Sequence, residues 1–255
     1  ASITVEGHRR AMEVARPGLF EWEVQAELEA VFRRAGARRN AYESIVASGP
    51  NATYLHYVAN DRALAEGDLL LIDAGAEWRM YAADVTRTFP VGARFSGPQR
   101  ALYELVLSAH RAAIDRCRPG VERSATHDVA VRVLTEGMIE LGLLKGDAEE
   151  LIAEEGHKRY FMHGTGHWLG MDVHDAGRYS LFETNGPESR PFEPGMVTTI
   201  EPGLYIAPDD EEAPAIFRGL GVRIEDDVLI TEDGFEVLTE ALPTAADDVE
   251  ALVRG

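Results

Sequence analysis

The stretch GDLLLIDAGAEWRMYAADVTRTF, residues 67–89, decides the fold of this chain. Residues 69–72 form a continuous apolar run of the kind found in a sheet that is covered on both faces. Residues 81–89 are rich in aromatic and β-branched side chains, which also favour strand. Asp73 and Asp84 nevertheless lie within these segments, and a buried carboxylate without a partner is costly. The sequence therefore predicts that something offsets both charges.

We expect the two segments to form an antiparallel hairpin with its turn centred between Trp78 and Arg79. That register places Asp73 directly opposite Asp84, with their Cβ atoms about 5 Å apart on one face of the sheet. Like charges in such a pair repel, whereas a divalent cation between them makes the interaction attractive. The pair is therefore typical of a metal site.

The composition narrows the classes of function. The net charge of −19, from 25 basic and 44 acidic residues, argues against nucleic acid or an anionic membrane as the main partner. No stretch approaches the about 20 apolar residues of a spanning helix. The single cysteine, Cys117, excludes an intrachain disulfide and fits a reducing compartment, so we expect a cytoplasmic protein. No low-complexity linker divides the chain, which predicts one domain over 1–255.

Periodicity and turn signals predict a mixture of helices and strands. Helices are predicted at 3–16, 21–35, 98–117 and 124–141. Strands are predicted at 44–48, 53–58, 69–75, 81–90, 196–201, 221–231 and 235–239, with a Gly/Pro/Glu-rich loop at 183–195. In the second helix one apolar stripe is expected, formed by Val24, Leu28, Val31 and Phe32, with Gly36 as the C-terminal stop.

The chain also repeats itself faintly. Residues 8–18 align with 110–120, and residues 67–75 align with 195–203. The order helix, helix, strand, strand recurs in both halves. We therefore expect a duplicated unit with internal pseudo-twofold symmetry.

The repeat pairs four acidic residues. Asp73 aligns with Glu201, and the next acid-bearing strand of each half contains Asp84 or Glu225. Pseudo-twofold symmetry brings these four carboxylates together at the axis, where two divalent cations would neutralise them. Such oxygen ligands suit Mn²⁺, with Co²⁺, Fe²⁺ or Zn²⁺ as alternatives. Two ions about 3.5–4 Å apart can share a hydroxide and polarise a carbonyl, which points to hydrolysis.

Two further segments contain candidate site residues. In GVRIEDDVLI, residues 221–230, a period of two places Arg223, Glu225 and Asp227 on one face. In HGTGHWLGMDVHD, residues 163–175, the histidines are interleaved with glycines that argue against a regular helix. A loop or bulged strand leading into the site is more consistent with that pattern. The three histidines of this segment are His163, His167 and His174.

Taken together, the motifs from HRRAM to FEVLT resemble the pita-bread metallopeptidases, and within them the bacterial Xaa-Pro aminopeptidases (aminopeptidase P). The five metal ligands of the family match, in order and in five separate segments, Asp73, Asp84, His167, Glu201 and Glu225. The resemblance implies an α+β pita-bread fold, in which a curved antiparallel sheet has helices on its outside. It also implies a dinuclear metal site in the concave face of the sheet, with Mn²⁺ as the favoured metal.

The resemblance also implies the roles of the ligands. Asp84 and Glu225 should bridge the two ions, His167 and Glu201 should complete one ion, and Asp73 should complete the other. Glu201 should also be the proton shuttle, because a carboxylate beside the nucleophilic water can pass its proton to the leaving nitrogen.

Five other positions match residues that surround the substrate in the family. His56 matches a histidine that shapes the site around the proline, and His174 matches one that hydrogen-bonds the scissile carbonyl. His163 and Arg223 match residues on the proline side, and Tyr205 matches a nearby tyrosine. An Xaa-Pro bond has no N–H and its proline fixes φ, so the site needs an apolar slot for the ring.

The implied function is removal of the N-terminal residue from peptides with proline second. A prolidase, which cleaves Xaa-Pro dipeptides, shares all five ligands, but HWLGMDVHD and YVAND are more similar to the aminopeptidases. A non-catalytic peptide-binding module is the third reading, and the intact ligand set argues against it. Members of the family usually have an N-terminal domain ahead of the catalytic half, and we expect none in this chain. That domain commonly supports oligomerisation and closes part of the substrate cleft, so it bears on the preference for peptide length and on assembly into a homo-oligomer.

Overall fold

The computed structural model describes residues 1–92, 94–181 and 189–254, so residues 183–188 of the predicted loop lie outside the described part. Its helices are α1 (Ser2–Val14), α2 (Glu21–Arg34), α3 (Gly97–Ile114), α4 (Ser124–Glu140), α5 (Ala148–Ala153) and α6 (Ala246–Arg254). Its strands are β1 (Arg39–Asn40), β2 (Ile45–Ser48), β3 (Leu69–Ala74), β4 (Ala76–Glu77), β5 (Val85–Pro90), β6 (Val197–Ile200), β7 (Gly203–Tyr205), β8 (Gly221–Arg223), β9 (Asp226–Ile230) and β10 (Phe235–Val237). This content confirms the α+β class.

The four long predicted helices are present, and α2 shows why. Val24, Leu28 and Phe32 are fully buried on one stripe, while Val31 is only partly buried at its edge. The helix ends before Gly36, which has a φ of 92° that side chains rarely adopt. In the described residues no helix is both long and apolar enough to cross a membrane.

The first sheet has the order β2-β3-β5, with both pairings antiparallel. The register places Asp73 opposite Thr86, so the prediction that Asp73 lies directly opposite Asp84 is wrong. Each one-residue displacement of a hairpin turn changes the partner of a given residue by two positions. Because the side-chain period of a strand is also two, Asp84 keeps the same face as Thr86.

The turn itself explains the difference. Trp78 and Tyr81 exchange backbone hydrogen bonds of 3.0 and 3.1 Å, so the two-residue loop is Arg79-Met80, one position later than predicted. Both loop residues have positive φ, 52° at Arg79 and 70° at Met80. Such a turn matches the twist of the strands but normally has Asn or Gly at these positions. The sequence therefore lacks the usual signal for it.

The second sheet has the order β10-β9-β6, and β7 pairs with β8 beside it. The predicted strand at 221–231 is divided, because β8 ends at Arg223 and β9 begins at Asp226. Between them Glu225 forms a bridge to the first sheet, and its backbone N–H donates to the carbonyl of Thr86 at 3.1 Å. This crossing brings the acids of the two sheets together.

The strand predicted at 53–58 is absent. Residues 49–53 form a 3₁₀ helix with Pro50 in its first turn, and irregular backbone follows. This 3₁₀ helix packs closely on β8, since a Cβ at Gly221 would lie 2.0 Å from the carbonyl oxygen of Ala52. The pairs α1–α2 and α3–α4 pack against the sheets around one apolar core.

Candidate metal centre and substrate cavity

A cavity of about 630 Å³ opens between the two sheets. Its wall contains all five predicted metal ligands together with four of the residues predicted to surround the substrate. They are Asp73, Asp84, His167, Glu201, Glu225, His56, His163, His174 and Arg223. Segments that lie far apart in the sequence therefore meet at one place.

Three ligand atoms are grouped most tightly. Asp84, His167 and Glu225 each offer one such atom, and these atoms lie within 4.8 Å of one another. His167 Nε2 is 3.3 Å from Asp84 Oδ2 and 3.5 Å from Glu201 Oε1. On the other side of the ring, Nδ1 lies 3.1 Å from the carbonyl oxygen of Trp168. A hydrogen bond there directs Nε2 towards the acids, as in histidine metal ligands.

Asp73 is connected to this group through Tyr42 and is also held by Arg223. Arg223 Nη2 donates to Asp73 Oδ2 at 2.7 Å. The hydroxyl of Tyr42 contacts Oδ1 of both Asp73 and Asp84. Sequence reasoning missed Tyr42, since only the pairing of β2 with β3 brings it here.

Two threonines orient other ligands. Arg223 Nε donates to Thr86 Oγ1 at 3.1 Å, and Thr86 Oγ1 donates to Glu225 Oε2 at 2.6 Å. Thr199 Oγ1 donates to Glu201 Oε1 at 3.3 Å. Sequence reasoning did not name these threonines, although each stands two positions from an acid along its strand. The alternation of a strand could have identified them.

The histidine segment is irregular, which confirms that it forms no helix. It runs along β6, where Thr199 donates its N–H to the carbonyl of His167 at 2.9 Å and Glu201 donates to Thr165 at 2.8 Å. Gly166 allows this approach, because a Cβ there would lie 2.0 Å from the carbonyl oxygen of Thr199. The backbone of β6 thus fixes His167 beside Glu201.

Three acids of the cavity, Asp73, Glu201 and Glu225, have raised pKa values. Burial raises the pKa of Asp73, although Arg223 opposes it, and burial raises the pKa of Glu201 to about 7 against the opposing charge of His167. Burial followed by the charges of Asp84 and Glu201 raises the pKa of Glu225 well above its usual value. The carboxylates therefore repel one another, because the cavity contains too little positive charge to balance them.

His167 shows the same excess of negative charge. Burial lowers the pKa of this imidazole, but contacts with Asp84 and Glu201 outweigh burial and raise it to about 9. The four carboxylates of Asp73, Asp84, Glu201 and Glu225, together with one imidazole nitrogen of His167, are a suitable donor set for divalent cations. The residues present therefore fit a metal centre.

His163 is held by hydrogen bonds on both ring nitrogens. Nδ1 lies 2.7 Å from the carbonyl oxygen of Gly164, and Nε2 lies 2.9 Å from the hydroxyl of Tyr205. Arg223 Nη1 donates to the same hydroxyl at 2.9 Å. Burial and the charge of Arg223 lower the pKa of His163 to about 4, so its ring is neutral. Tyr205 lies behind the described cavity wall rather than on it.

His56 and His174 are exposed on the cavity wall. The ring of His174 lies 4.3 Å from that of His167, at an interplanar angle of 72°. Burial and the charge of His167 lower the pKa of His174. Apolar side chains complete the wall near these histidines: Ile45, Leu55, Val58 and Val173.

Asp227 does not line the described cavity, although the sequence predicted that it shares a face with Arg223 and Glu225. Its carboxylate accepts a hydrogen bond from the backbone N–H of Asp84 at 3.2 Å, and burial followed by the charge of Asp84 raises its pKa well above the usual value. Arg223 and Glu225 do share the cavity wall, whereas Asp227 lies behind Asp84 and is absent from the described lining.

The fold and this cavity match a known class of protein. The model of metallopeptidase family M24 matches residues 1–232, and the chain belongs to this family.

Individual relatives are closely similar. The chain is 48% identical over 252 residues to the Xaa-Pro aminopeptidase of Haemophilus influenzae, and 48% identical over 251 residues to that of Escherichia coli. These matches cover 99% and 98% of this chain but 57% and 56% of the two relatives. The chain therefore spans little more than half the length of the relatives it matches.

Solved structures agree with the sequence matches. Pseudomonas aeruginosa aminopeptidase PepP superposes with a TM-score of 0.96 at 54% identity, covering 99% of this chain and 56% of that one. A zinc-substituted Escherichia coli aminopeptidase P in complex with product superposes with a TM-score of 0.95 at 47% identity, with the same coverage. These similarities support the pita-bread fold.

Proposed function

We propose that this chain is the catalytic part of a metal-dependent aminopeptidase, which removes the N-terminal residue from peptides with proline in the second position. The observation that supports it best is the single cavity. That cavity combines five residues able to bind metal with three histidines and an apolar wall. Membership of a metallopeptidase family and the names of the relatives point in the same direction.

We assign the ligands to two divalent ions, with Mn²⁺ as the favoured metal. Asp84 and Glu225, each of which has a carboxylate oxygen within 4.8 Å of a ring nitrogen of His167, would hold both ions. His167 and Glu201 would hold one ion in addition, and Asp73 would hold the other. When bound, such a pair of ions supplies a hydroxide at neutral pH and polarises the scissile carbonyl.

The chain's own residues supply the proton transfer. Glu201 takes the proton from the attacking water and passes it to the leaving proline nitrogen. Its contacts with Thr199 and His167 hold the carboxylate beside the cluster of candidate metal ligands. His174, exposed on the same wall, donates a hydrogen bond to the scissile carbonyl oxygen and stabilises the charge that develops there.

The proline side of the cavity recognises a bond whose nitrogen has no hydrogen to donate. The scissile nitrogen of an Xaa-Pro bond carries no hydrogen, so recognition depends on the shape of the ring. His56, the neutral ring of His163 and the apolar wall form that slot. Arg223 lines the same wall and Tyr205 lies behind it, and their hydrogen bonds hold Asp73 and His163.

We further infer that the two halves are related by a pseudo-twofold axis through the cavity. The helix pairs α1–α2 and α3–α4 each precede a sheet with two of the acids in its strands or directly next to them. The bridge between Thr86 and Glu225 lies where the two sheets meet.

Hydrolysis of Ala-Pro-Ala and Ala-Pro by metal-stripped protein, with and without added Mn²⁺, tests the function. We expect Mn²⁺-dependent cleavage of the tripeptide well above the dipeptide. The reverse preference would show a prolidase. Silence on both peptides by protein that binds two equivalents of Mn²⁺ would contradict a peptidase of this specificity.

A further inference from the structure

Glu21, the first residue of α2, is a buried carboxylate that the mechanism above does not use. It is 0% exposed. Its Oε1 accepts hydrogen bonds from the N–H of Ser48 at 2.6 Å, the hydroxyl of Ser48 at 2.7 Å and Asn51 Nδ2 at 3.1 Å. Its Oε2 accepts from the hydroxyl of Tyr57 at 2.8 Å and the N–H of Arg62 at 2.9 Å. Five donors thus converge on one side chain.

These donors all come from one stretch of chain, residues 48–62. Ser48 ends β2 and Arg62 lies beyond the irregular backbone that replaces the predicted strand. Glu21 therefore binds both ends of the stretch and, through Tyr57, its middle. The backbone N–H of Glu21 also donates to the carbonyl of Arg62 at 2.9 Å. A buried carboxylate with several donors strongly restrains the groups that surround it.

The same stretch forms part of the substrate cavity. Leu55, His56 and Val58 line it, while Tyr57 between them contacts Glu21 on the other side. The direction of Tyr57 therefore sets the direction of its neighbours. The stretch has little regular secondary structure after Thr53, so Glu21 takes the place that a hydrogen-bonded ladder has in a strand.

We propose that Glu21 is a positioning residue for substrate, acting through residues 48–62 to hold His56 and the apolar wall in place on the proline side of the cavity. This inference rests on the proposed function. The proposal means that two parts of the site are held by different elements. The strands and the segments beside them hold the metal ligands, whereas Glu21 holds the slot for proline.

The variant Glu21→Gln tests this separation. Gln keeps the shape but replaces one acceptor oxygen with an amide that donates, so at least one of the donors it faces loses its acceptor. We expect KM for Ala-Pro-Ala to rise roughly tenfold or more, because small displacements of positioning groups have large effects on reaction. The affinity for Mn²⁺, measured by titration calorimetry, should stay within about twofold of the wild type.

A matched control is Glu250→Gln. Glu250 is also a buried carboxylate that fixes a loop, since it accepts a hydrogen bond from the N–H of Phe95 at 3.1 Å. It lies outside the cavity wall. We expect its KM to remain within about twofold of the wild type, because distant sites act independently.

A second variant covers the case in which Glu21→Gln does not fold. Tyr57→Phe removes one hydroxyl and leaves Glu21 with four donors; we expect a smaller rise in KM in the same direction. Wild-type KM in both variants, or in Tyr57→Phe alone if the other does not fold, would overturn the proposal. So would a loss of Mn²⁺ affinity equal to the loss in kcat/KM.

Hydrogen exchange separates this proposal from the proposed function. If the wild type cleaves neither peptide, the proposed function fails. The role of Glu21 is then decided by the amides of residues 48–62, which should exchange at least about tenfold faster in Glu21→Gln than in the wild type. Unchanged exchange would overturn it.

Discussion

Glu225 and Asp226 are neighbours in the sequence and both are about 2% exposed, yet their surroundings are opposite. Glu225 faces the cavity, where burial and other carboxylates raise its pKa. Asp226 faces the outer side of the sheets, where Arg87 Nη2 donates to it at 2.7 Å and Thr239 Oγ1 at 2.5 Å. Burial alone would raise the pKa of Asp226, but Arg87 and His110 outweigh burial and lower it.

Arg87 shows how fully the outer side is compensated. Its guanidinium is completely buried and donates to backbone carbonyls of Glu225 at 2.6 Å, Leu242 at 2.8 Å and Pro243 at 3.1 Å, besides Asp226. The fold therefore provides a cation for one acid and provides too little positive charge for the next. Local disagreement with the rules of stability is typical of a functional site, and it supports the proposal that metal ions bind on the cavity side.

Removing a cavity acid should weaken metal binding strongly and leave the fold intact. In Asp84→Asn we expect the affinity for Mn²⁺ to fall more than about 100-fold, and at least one equivalent of metal and the hydrolysis of Ala-Pro-Ala to be lost, because even residues that only support metal ligands are worth 10–100-fold. Titration calorimetry and metal counting measure the change. The exposed Asp247→Asn serves as the control. Full metal content with normal turnover in Asp84→Asn would contradict the assignment of Asp84.

Removing the cation of the outer side should instead destabilise the fold. Arg87→Met leaves Asp226 buried without its main partner, and we expect the free energy of unfolding in urea to fall by about 3–5 kcal/mol. Arg132→Met, which removes an exposed partner of Glu149, should leave the free energy of unfolding nearly unchanged, because exposed ion pairs contribute little.

A double variant isolates the charge itself. Arg87→Met combined with Asp226→Asn should recover part of the lost stability, since the uncompensated carboxylate is gone. No recovery would mean that Arg87 acts through its hydrogen bonds to the backbone carbonyls and not through its ion pair.

The difference between the two sides also marks the limit of what the sequence predicted. The five candidate ligands were named from the resemblance of five local motifs to a known family, and the cavity does contain them. Arg87 and Tyr42 depend on contacts between segments distant in the sequence, and no local pattern marks them. The register of Asp73 was missed because Arg79 and Met80 adopt positive φ without the residues that usually allow it. The strand predicted at 53–58 is absent, since a 3₁₀ helix with Pro50 in its first turn occupies residues 49–53 and Tyr57 hydrogen-bonds to the side chain of Glu21 instead of a neighbouring strand.

Opposite pH dependence provides a sharper test of the comparison. The raised pKa of Glu225 means that the folded, metal-free protein binds more protons than the unfolded chain above the ordinary value of 4.5, so stability falls as pH rises. The lowered pKa of Asp226 has the opposite sign: its contribution is present above 3.8 and is lost as pH falls below that value.

Isosteric neutral variants at the two positions test these signs. In chelator-treated protein at pH 8, Glu225→Gln should raise the free energy of unfolding by about 1–2 kcal/mol, with a smaller gain at pH 5. Asp226→Asn should lower it at both pH values. Added Mn²⁺ should stabilise the wild type more than Glu225→Gln. A ligand that binds the folded state stabilises it according to its affinity, and the variant has lost one of the proposed metal ligands. Destabilisation by Glu225→Gln in chelator would contradict the view that this acid is left uncompensated.

The hairpin turn between the two acids supplies the smallest effect and a control for all of the charge variants. Met80 is 67% exposed with a φ of 70°, a conformation that costs a side chain energy and suits glycine. Met80→Gly should stabilise the protein by about 0.5 kcal/mol, because relief of the backbone exceeds the entropy that glycine loses on folding. Met80→Ala, which keeps the Cβ, should show no gain. Since no charge changes, the gain from Met80→Gly should be equal at pH 5 and pH 8 and with or without Mn²⁺.

A gain that varied with metal or pH would show that the turn and the acids are coupled. The stability differences assigned to Glu225 could then not be attributed to its charge alone.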